Sequence, residues 1–453
     1  MTERLVVIGG DAAGMSAASQ ARRRRPPEDL EIVVLERSGW ISFSACGEPY
    51  FIAGEVTELE SLLARRPERF EADGITVRMH TEATSIDAER RVVGARGPDG
   101  ELELAYDNLV YATGAAPLIP DIRDADAAGA FTLRTLDDAA AIEAAAGTAT
   151  RAVVVGGGYI GIEVAEALHR RGIPTTIVTS GDTVMNRVLD EDMGNLATDA
   201  IRDQGVEVRP GIRVRCLVDG GGAVIGVDAD DDILPADLVV IGVGATPEVE
   251  LAESAGVALG PTGAIAVDER QRTSVDGIWA AGDCAEARHL VSGLPVNHQL
   301  GTVANKQGRV AGINLGGGDA TFPGVLGTAI TRFGQTEISR TGLSERDASE
   351  AGIAYAVGMV ESSTIAGYMP GAASMTIKAL CELGTGRILG GQIVGGHGAG
   401  KRIDTFAVAI WGGLGGHDLA MADLSYAPPF SGVWEPVMIA ARRAADRALG
   451  ITT

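Results

Sequence analysis

The sequence predicts an α/β chain with two parallel sheets covered by helices, followed by a third region of α+β pattern. Three observations carry that expectation. Leu5 to Glu36 reads as an apolar strand, a glycine turn, an alanine-rich helix with a basic end, and the strand Ile32-Val33-Val34-Leu35. Arg151 to Thr179 repeats that order about 147 positions later, from Ala152-Val153-Val154-Val155 through glycines 156 to 158 to Thr176-Ile177-Val178. After Phe322-Pro323-Gly324 the pattern changes to strands alternating with glycine turns as far as Gly400.

The remaining elements follow in order. Asp107 to Gly114 is an apolar strand ending in a tight turn, and Asp237 to Gly244 closes the second unit in the same way. Gly277-Ile278-Trp279-Ala280-Ala281-Gly282-Asp283 follows, and a helix is expected from about Leu300. A last helix is expected from about Lys401, with a Pro-containing loop near Tyr426. The expected division is 1–114 with 246–322, then 115–245 inserted between them, then 323–453.

Composition narrows the function. Of 453 residues, 45% are hydrophobic and 22% charged, which excludes a disordered or fibrous chain and suits roughly three domains. No stretch of about 18 uncharged apolar residues occurs, and no signal-peptide core, so a cytoplasmic protein without a membrane partner is expected. The net charge of −23 argues against a nucleic-acid partner. Only three lysines occur, and we read the preference for arginine as a coding bias. Cys46, Cys216, Cys284 and Cys381 form no C-x-x-C pair, so neither a metal site nor a disulfide framework is expected. Any cysteine that matters acts singly.

A glycine turn opening a helix sets bare N–H groups and the positive helix end against a pyrophosphate. Gly156-Gly157-Gly158-Tyr159-Ile160-Gly161 fits G-x-G-x-x-G in full. Gly9-Gly10-Asp11-Ala12-Ala13-Gly14 keeps the outer glycines and has Asp11 at the middle one. Two turns in the same strand-and-helix context read as two Rossmann-like dinucleotide-binding units. Glu36, 22 residues after Gly14, is placed to accept ribose hydroxyls. The matching place in the second unit is Thr179, where no carboxylate repels a 2′-phosphate. This favours NADPH over NADH, with Arg187 as the candidate clamp.

Past Glu36 lies Trp40-Ile41-Ser42-Phe43-Ser44-Ala45-Cys46-Gly47-Glu48-Pro49-Tyr50. A cysteine at a helix start meets the positive helix end, so Cys46 is expected to have a lowered pKa and a reactive thiolate. The other three cysteines read as small buried apolar residues.

With the Ala112-Thr113-Gly114 turn and Ala280-Ala281-Gly282-Asp283, the chain resembles the FAD-dependent pyridine nucleotide-disulfide oxidoreductases over essentially its whole length. Position 51 is Phe51, so the usual C-x4-C pair is absent, and no His-Pro motif occurs. Ser42-Phe43-Ser44-Ala45-Cys46-Gly47 resembles instead the single-cysteine branch of CoA-disulfide reductases, NADH oxidases and NADH peroxidases. The oxidases and peroxidases carry a histidine where this chain has Ala12. Tyr426-Ala427-Pro428-Pro429, with Tyr368 upstream, resembles the CoA-disulfide reductases.

The resemblance implies FAD on the first unit, at Gly9, Gly10, Ala12, Ala13, Gly14, Glu36, Arg37, Ser42, Ala112, Thr113, Gly114, Gly282 and Asp283. It implies NADPH or NADH on the second, at Gly156, Gly158, Tyr159, Ile160, Gly161, Thr179, Arg187 and Gly244. Ser16, Gln20, Arg23, Ser42 and Asn305 match CoA-contacting positions, whereas Ala45, Trp434 and the lack of a lysine near Asp73 depart from them. Cys46 is implied as the redox sulfur, with Tyr426 and Tyr368 as proton donors to the leaving thiol. The C-terminal α+β domain is implied to form a homodimer with shared active sites. The expected activity is NAD(P)H-dependent reduction of a small-molecule disulfide, CoA disulfide first, through a mixed disulfide on Cys46. The alternatives are an oxidase or peroxidase cycling through a sulfenic acid, and a flavoprotein redox sensor with a protein partner. A polysulfide reductase is disfavoured, because related fused enzymes carry an added rhodanese domain.

Overall fold

The computed structural model describes residues 2–230 and 232–451. The apolar runs form the interiors of two five-stranded parallel sheets. The first has the strand order Ile278–Ala280, Asn108–Tyr111, Glu3–Ile8, Leu30–Leu35, Ile75–Arg78. Leu5 pairs with Asn108 on one side and Ile32 on the other, and Leu5, Val6, Val7 and Val34 are wholly buried. Burial on both faces is why these strands are continuous apolar runs rather than alternating ones. The second sheet runs Glu207–Arg209, Thr175–Val178, Ala152–Val155, Leu238–Ile241, Ala130–Phe131.

The chain leaves the first sheet after Tyr111 and returns to it after Ile241. Ala115–Pro117 and Ala245–Pro247 pair antiparallel at that crossing, with Ala115 opposite Pro247. Residues on both sides of the inserted unit therefore build one sheet. Near that sheet, helix Ala12–Arg22 lies on helix Gly301–Leu315 at very short range. A Cβ on Gly308 would fall 2.1 Å from the Ala13 carbonyl oxygen, and one on Gly312 would fall 2.2 Å from that of Ala17.

The third region is a five-stranded antiparallel sheet ordered Ala329–Phe333, Thr336–Gly342, Ile388–Gly395, Ser374–Glu382, Tyr355–Ser363, backed by helices Ile403–Trp411 and Pro436–Ala448. The expected helices appear where the sequence put them, with Gly400–Arg402 a 3₁₀ turn leading into Ile403. No helix among the described residues is long and apolar enough to cross a membrane.

One buried ion cluster joins the second parallel sheet to the antiparallel one. The Lys378 ammonium, 1% exposed, lies 2.7 Å from Asp192 and 3.1 Å from Asp190 and is also bonded by Glu345. Asp190 in turn accepts from Gln392 and from the Glu345 amide. Removing the cation leaves Asp190 charged and buried, which costs roughly 3–5 kcal/mol. Lys378→Met is expected to lower the thermal midpoint of the holoenzyme by several degrees, and an unchanged midpoint in a thermal melt would refute the assignment.

Candidate active site

The loops at the C-terminal ends of the first sheet converge. Gly9 turns with φ +104°, and a Cβ there would meet the Ala112 carbonyl oxygen at 2.1 Å. The same crowding holds at Gly156, where a Cβ would lie 2.2 Å from the Gly242 carbonyl oxygen. Only glycine fits at either place. Glu36 accepts the Gly10 amide at 2.8 Å and the Ser38 amide at 2.7 Å, which fixes its carboxylate beside the turn. Asp11 turns its carboxylate aside to accept the Phe43 amide at 3.1 Å, and burial pushes its pKa up to about 6. Ala12 and Ala13 begin the first helix, and Ala13 packs with Ala281 and Ala304.

Gly114 (φ +79°) and Gly282 (φ +91°) close the same rim, and Arg134 bridges them: it approaches Gly114 and lies 3.6 Å from Asp283. Thr113 bonds the Glu248 carbonyl at 2.7 Å. Arg37 pairs with Glu248 through both guanidinium nitrogens, at 2.8 and 3.0 Å, and is committed to that partner. Ser42 adopts φ +49° and donates its amide to the Gly10 carbonyl at 2.9 Å.

At the second turn, Gly156, Gly158 and Gly161 surround the start of helix Tyr159–Arg170, and nothing stands within 4 Å of a Cβ placed on Gly158. Ile160 is partly exposed there, and burial pushes the Tyr159 hydroxyl up to about 12. The Arg187 guanidinium reaches to 4.0 Å from a Cβ placed on Gly244, so these two lie together. Thr179 is buried behind Gly157, and its hydroxyl oxygen takes the Gly181 amide at 3.4 Å.

Cys46 lies in the 3₁₀ turn Ala45–Gly47, followed directly by helix Glu48–Ile52. The expectation of a lowered thiol pKa is overturned. Cys46 is exposed, yet the surrounding protein partly desolvates its thiol and pushes it up, and Glu163, Glu48 and Asp283 act in the same direction. The five-residue helix has little dipole to offer, and its first residue is an acid. Cys284 and Cys381 are buried, as the sequence suggested, whereas Cys216 is half-buried.

Glu163 and Glu48 were missed by sequence reasoning. Glu163 accepts a hydrogen bond from Thr331 at 2.8 Å, and burial pushes it up to about 7. Its signal was available: a carboxylate two residues after the last glycine of the turn, between buried Ile162 and Val164.

Ser16 and Asn305 meet across the two crossed helices at 2.8 Å. Gln20 is buried, with its side-chain oxygen taken by Arg24 at 2.9 Å. Of the run Arg22 to Arg25, Arg22 binds backbone carbonyls and Arg25 pairs with Glu3. Arg23 has no side-chain hydrogen bond or ion pair among the described residues. It lines a cavity of about 370 Å³ with Ser19, Arg22, Arg65 and Asp73. Arg65 is bonded to Asp73 at 2.6 Å. Arg65 follows a stretch paired with the cysteine segment: the Ser44 amide donates to the Leu62 carbonyl, and the Ala64 amide donates to the Ser42 carbonyl.

Tyr368 and Tyr426 are neighbours, 75% and 46% exposed. Their loops are tied by the Ala366 amide bonding the Pro428 carbonyl, and by Arg402 bonding the Thr364 and Phe430 carbonyls at 2.7 Å each. Trp411, Met421, Phe430, Val433 and Trp434 are exposed apolar residues of the same region.

Comparisons agree with this architecture. Residues 3–308 match the pyridine nucleotide-disulphide oxidoreductase model, and residues 328–437 match the dimerisation domain of that family. An NAD(P)H coenzyme A polysulfide/persulfide reductase of Pyrococcus horikoshii is 38% identical over 98% of each chain. That relative, matched over nearly the whole of both chains, is named a polysulfide/persulfide reductase without needing a longer chain than this one. A NADH oxidase of Methanocaldococcus jannaschii is 35% identical over 97% of this chain and 98% of its own. The solved NAD-dependent persulfide reductase of A. fulgidus is 40% identical, with a TM-score of 0.94 over 98% of this chain and 83% of that one. The two glycine turns, the segment bearing Cys46 and the C-terminal sheet are thus those of a known lineage, and the chain belongs to the pyridine nucleotide-disulphide oxidoreductase family.

Proposed function

We propose that this oxidoreductase uses NAD(P)H to reduce a disulfide or persulfide of a small thiol bearing a polyanionic, CoA-like tail, with Cys46 as the redox sulfur. One observation carries the substrate class: Arg23 stands unpaired in a cavity it shares with Arg65, one residue beyond the segment paired to the Cys46 loop. In a chain of net charge −23, an arginine without an ion pair among the described residues, lining a cavity with a second arginine, suits phosphate groups on the substrate. The coenzyme A named for the Pyrococcus relative is such a thiol.

On this reading Gly9, Gly10, Gly14, Glu36, Ala112 to Gly114, Gly282 and Asp283 hold FAD. The orphaned, buried side-chain oxygen of Glu48 and the bare glycine turn suit a polar group in that slot. Gly156, Gly158, Gly161, Arg187 and Gly244 hold the nicotinamide coenzyme, and the lack of a carboxylate at Thr179 leaves room for NADPH. Bound FAD supplies the two-electron relay from nicotinamide to sulfur. The Cys46 thiolate attacks the substrate disulfide, releasing one thiol and forming a mixed disulfide. Two electrons then break that bond, the second thiol leaves with a proton, and the thiolate returns. The sum is RSSR + NAD(P)H + H⁺ → 2 RSH + NAD(P)⁺. For a persulfide, RSSH gives RSH and H₂S.

Tyr368 and Tyr426, exposed within an apolar face of the dimerisation region, deliver the proton into the partner subunit's site.

Three results test this reading. Cys46→Ser is expected to abolish disulfide turnover and to remove a reducible thiol adduct seen by intact mass, with flavin reduction by NADPH preserved. A single added oxygen on Cys46, with oxygen consumption matching disulfide turnover, would instead establish the oxidase chemistry. Arg23→Ala is expected to raise KM for CoA disulfide roughly 10- to 100-fold, the worth of a lost charge-assisted hydrogen bond. The KM for an uncharged small disulfide should stay put, and an equal rise for both would remove the polyanion from the proposal. Tyr426→Phe is expected to slow turnover while NADPH still reduces the flavin, and unchanged turnover would dismiss the tyrosine as donor.

A further inference from the structure

Tyr368 and Tyr426 stand on separate loops that carry no regular structure of their own. Residues 364–373 join the edge strand Tyr355–Ser363 to Ser374–Glu382. Residues 421–435 join the short helix Gly416–Ala420 to helix Pro436–Ala448. Each loop is closed locally: the Thr364 amide bonds the Ala373 carbonyl at 2.8 Å, and the Phe430 amide bonds the Ala427 carbonyl at 2.9 Å. Ordering a loop costs about 1–2 kcal/mol per residue in backbone entropy. Exposed side chains on such loops therefore keep one placement only where a further contact holds the chain.

Arg402 supplies that contact. Its side chain, 13% exposed, leaves the end of the 3₁₀ turn Gly400–Arg402, just before helix Ile403–Trp411. Nη2 donates to the Thr364 carbonyl and to the Phe430 carbonyl, at 2.7 Å each. Thr364 lies four residues before Tyr368, and Phe430 four residues after Tyr426. Nε donates to Glu435 at 2.7 Å, and Nη1 donates to the Gly398 carbonyl. The second Glu435 oxygen accepts the Ser431 hydroxyl at 2.6 Å, which fixes the carboxylate and with it the guanidinium. Four of the five guanidinium donors are thus committed, in a planar fork that lysine does not reproduce. The helix itself docks through Ile403, Phe406 and Ala409 in the apolar core, whereas three of these bonds run to the tyrosine loops.

We propose that Arg402 is a positioning residue for proton delivery: it clamps the two loops in one arrangement, so that Tyr368 and Tyr426 are presented together to the leaving thiol. This rests on the reading of the tyrosines as proton donors. Arg402 acts through the loops and takes no part in bond breaking. A displacement of about 1 Å at a reacting group costs up to about a hundredfold in rate, so loosening the clamp falls on kcat rather than on binding.

The test is a double-mutant cycle on the FAD-loaded enzyme, with NADPH and CoA disulfide, crossing Arg402→Met with Tyr426→Phe. Arg402→Met is expected to lower kcat roughly 10- to 100-fold with KM for CoA disulfide unchanged, while NADPH reduces the flavin at the wild-type rate. The double variant is expected to be no slower than the slower single one, because both changes remove the same proton transfer. Losses that multiply would overturn the proposal and leave Arg402 a purely structural residue, as would an unchanged kcat in Arg402→Met. A rise in KM with kcat preserved also overturns it and makes the loops a binding element. Should Arg402→Met fail to fold, Arg402→Lys, which keeps the charge without the fork, carries the same cycle with the same readings. Unchanged turnover in Tyr426→Phe overturns the underlying reading instead, whatever the Arg402 variants show.

Discussion

The rest of the structure depends on how helix Tyr159–Arg170 is held. Its first turn is the glycine-tight coenzyme turn, and its acids reach the antiparallel sheet: Glu163 accepts from Thr331, and Glu166 accepts the Gly334 amide at 3.0 Å. Arg171, just beyond its end, bonds the Ile52 carbonyl at 3.0 Å, the last residue of the short helix that follows Cys46. One rod thus ties the second glycine turn, the Cys46 segment and the C-terminal sheet together. Electron transfer between separate units needs that kind of fixed spacing, because small displacements at a reacting centre are costly in rate.

Packing at this junction has an electrostatic cost. Glu163, Glu48, Asp11 and Asp283 are all pushed toward their neutral forms by burial, and Arg134 is the cation that acts on Asp11, Glu48 and Asp283. A site built this way favours groups that exchange protons near neutral pH, which is what thiol–disulfide chemistry requires. It also explains why a cysteine at a helix start does not have the low pKa that position alone suggests. The dipole of a five-residue helix is small, while desolvation and three nearby acids act together on the thiol.

The basic end of helix Ala12–Arg22 obeys a different logic. Four consecutive arginines at one helix end look alike in sequence, yet each meets a different fate. Arg22 and Arg25 are tied to the local backbone and to Glu3, and Arg24 holds Gln20, which leaves Arg23 with its charge unspent beside the cavity. Arg65 reaches the same cavity from a distant stretch of chain, through the pairing of residues 42–44 with 62–64.

The sequence by itself determined the two βαβ units, their glycine turns, the change of pattern after Gly324 and the single-cysteine motif. These are local signals, set by apolar periodicity and by φ values only glycine tolerates. It also placed Glu36 correctly beside the first turn, since a fixed strand length brings that carboxylate there. Only the tertiary structure decided which groups act on Cys46, which arginine stays free, and that Thr179 and Gln20 are buried. It also brought Tyr368 beside Tyr426. Those outcomes depend on contacts between residues far apart in the chain and on desolvation. Neither leaves a periodic mark in the sequence, because both are properties of the packed neighbourhood rather than of the residue.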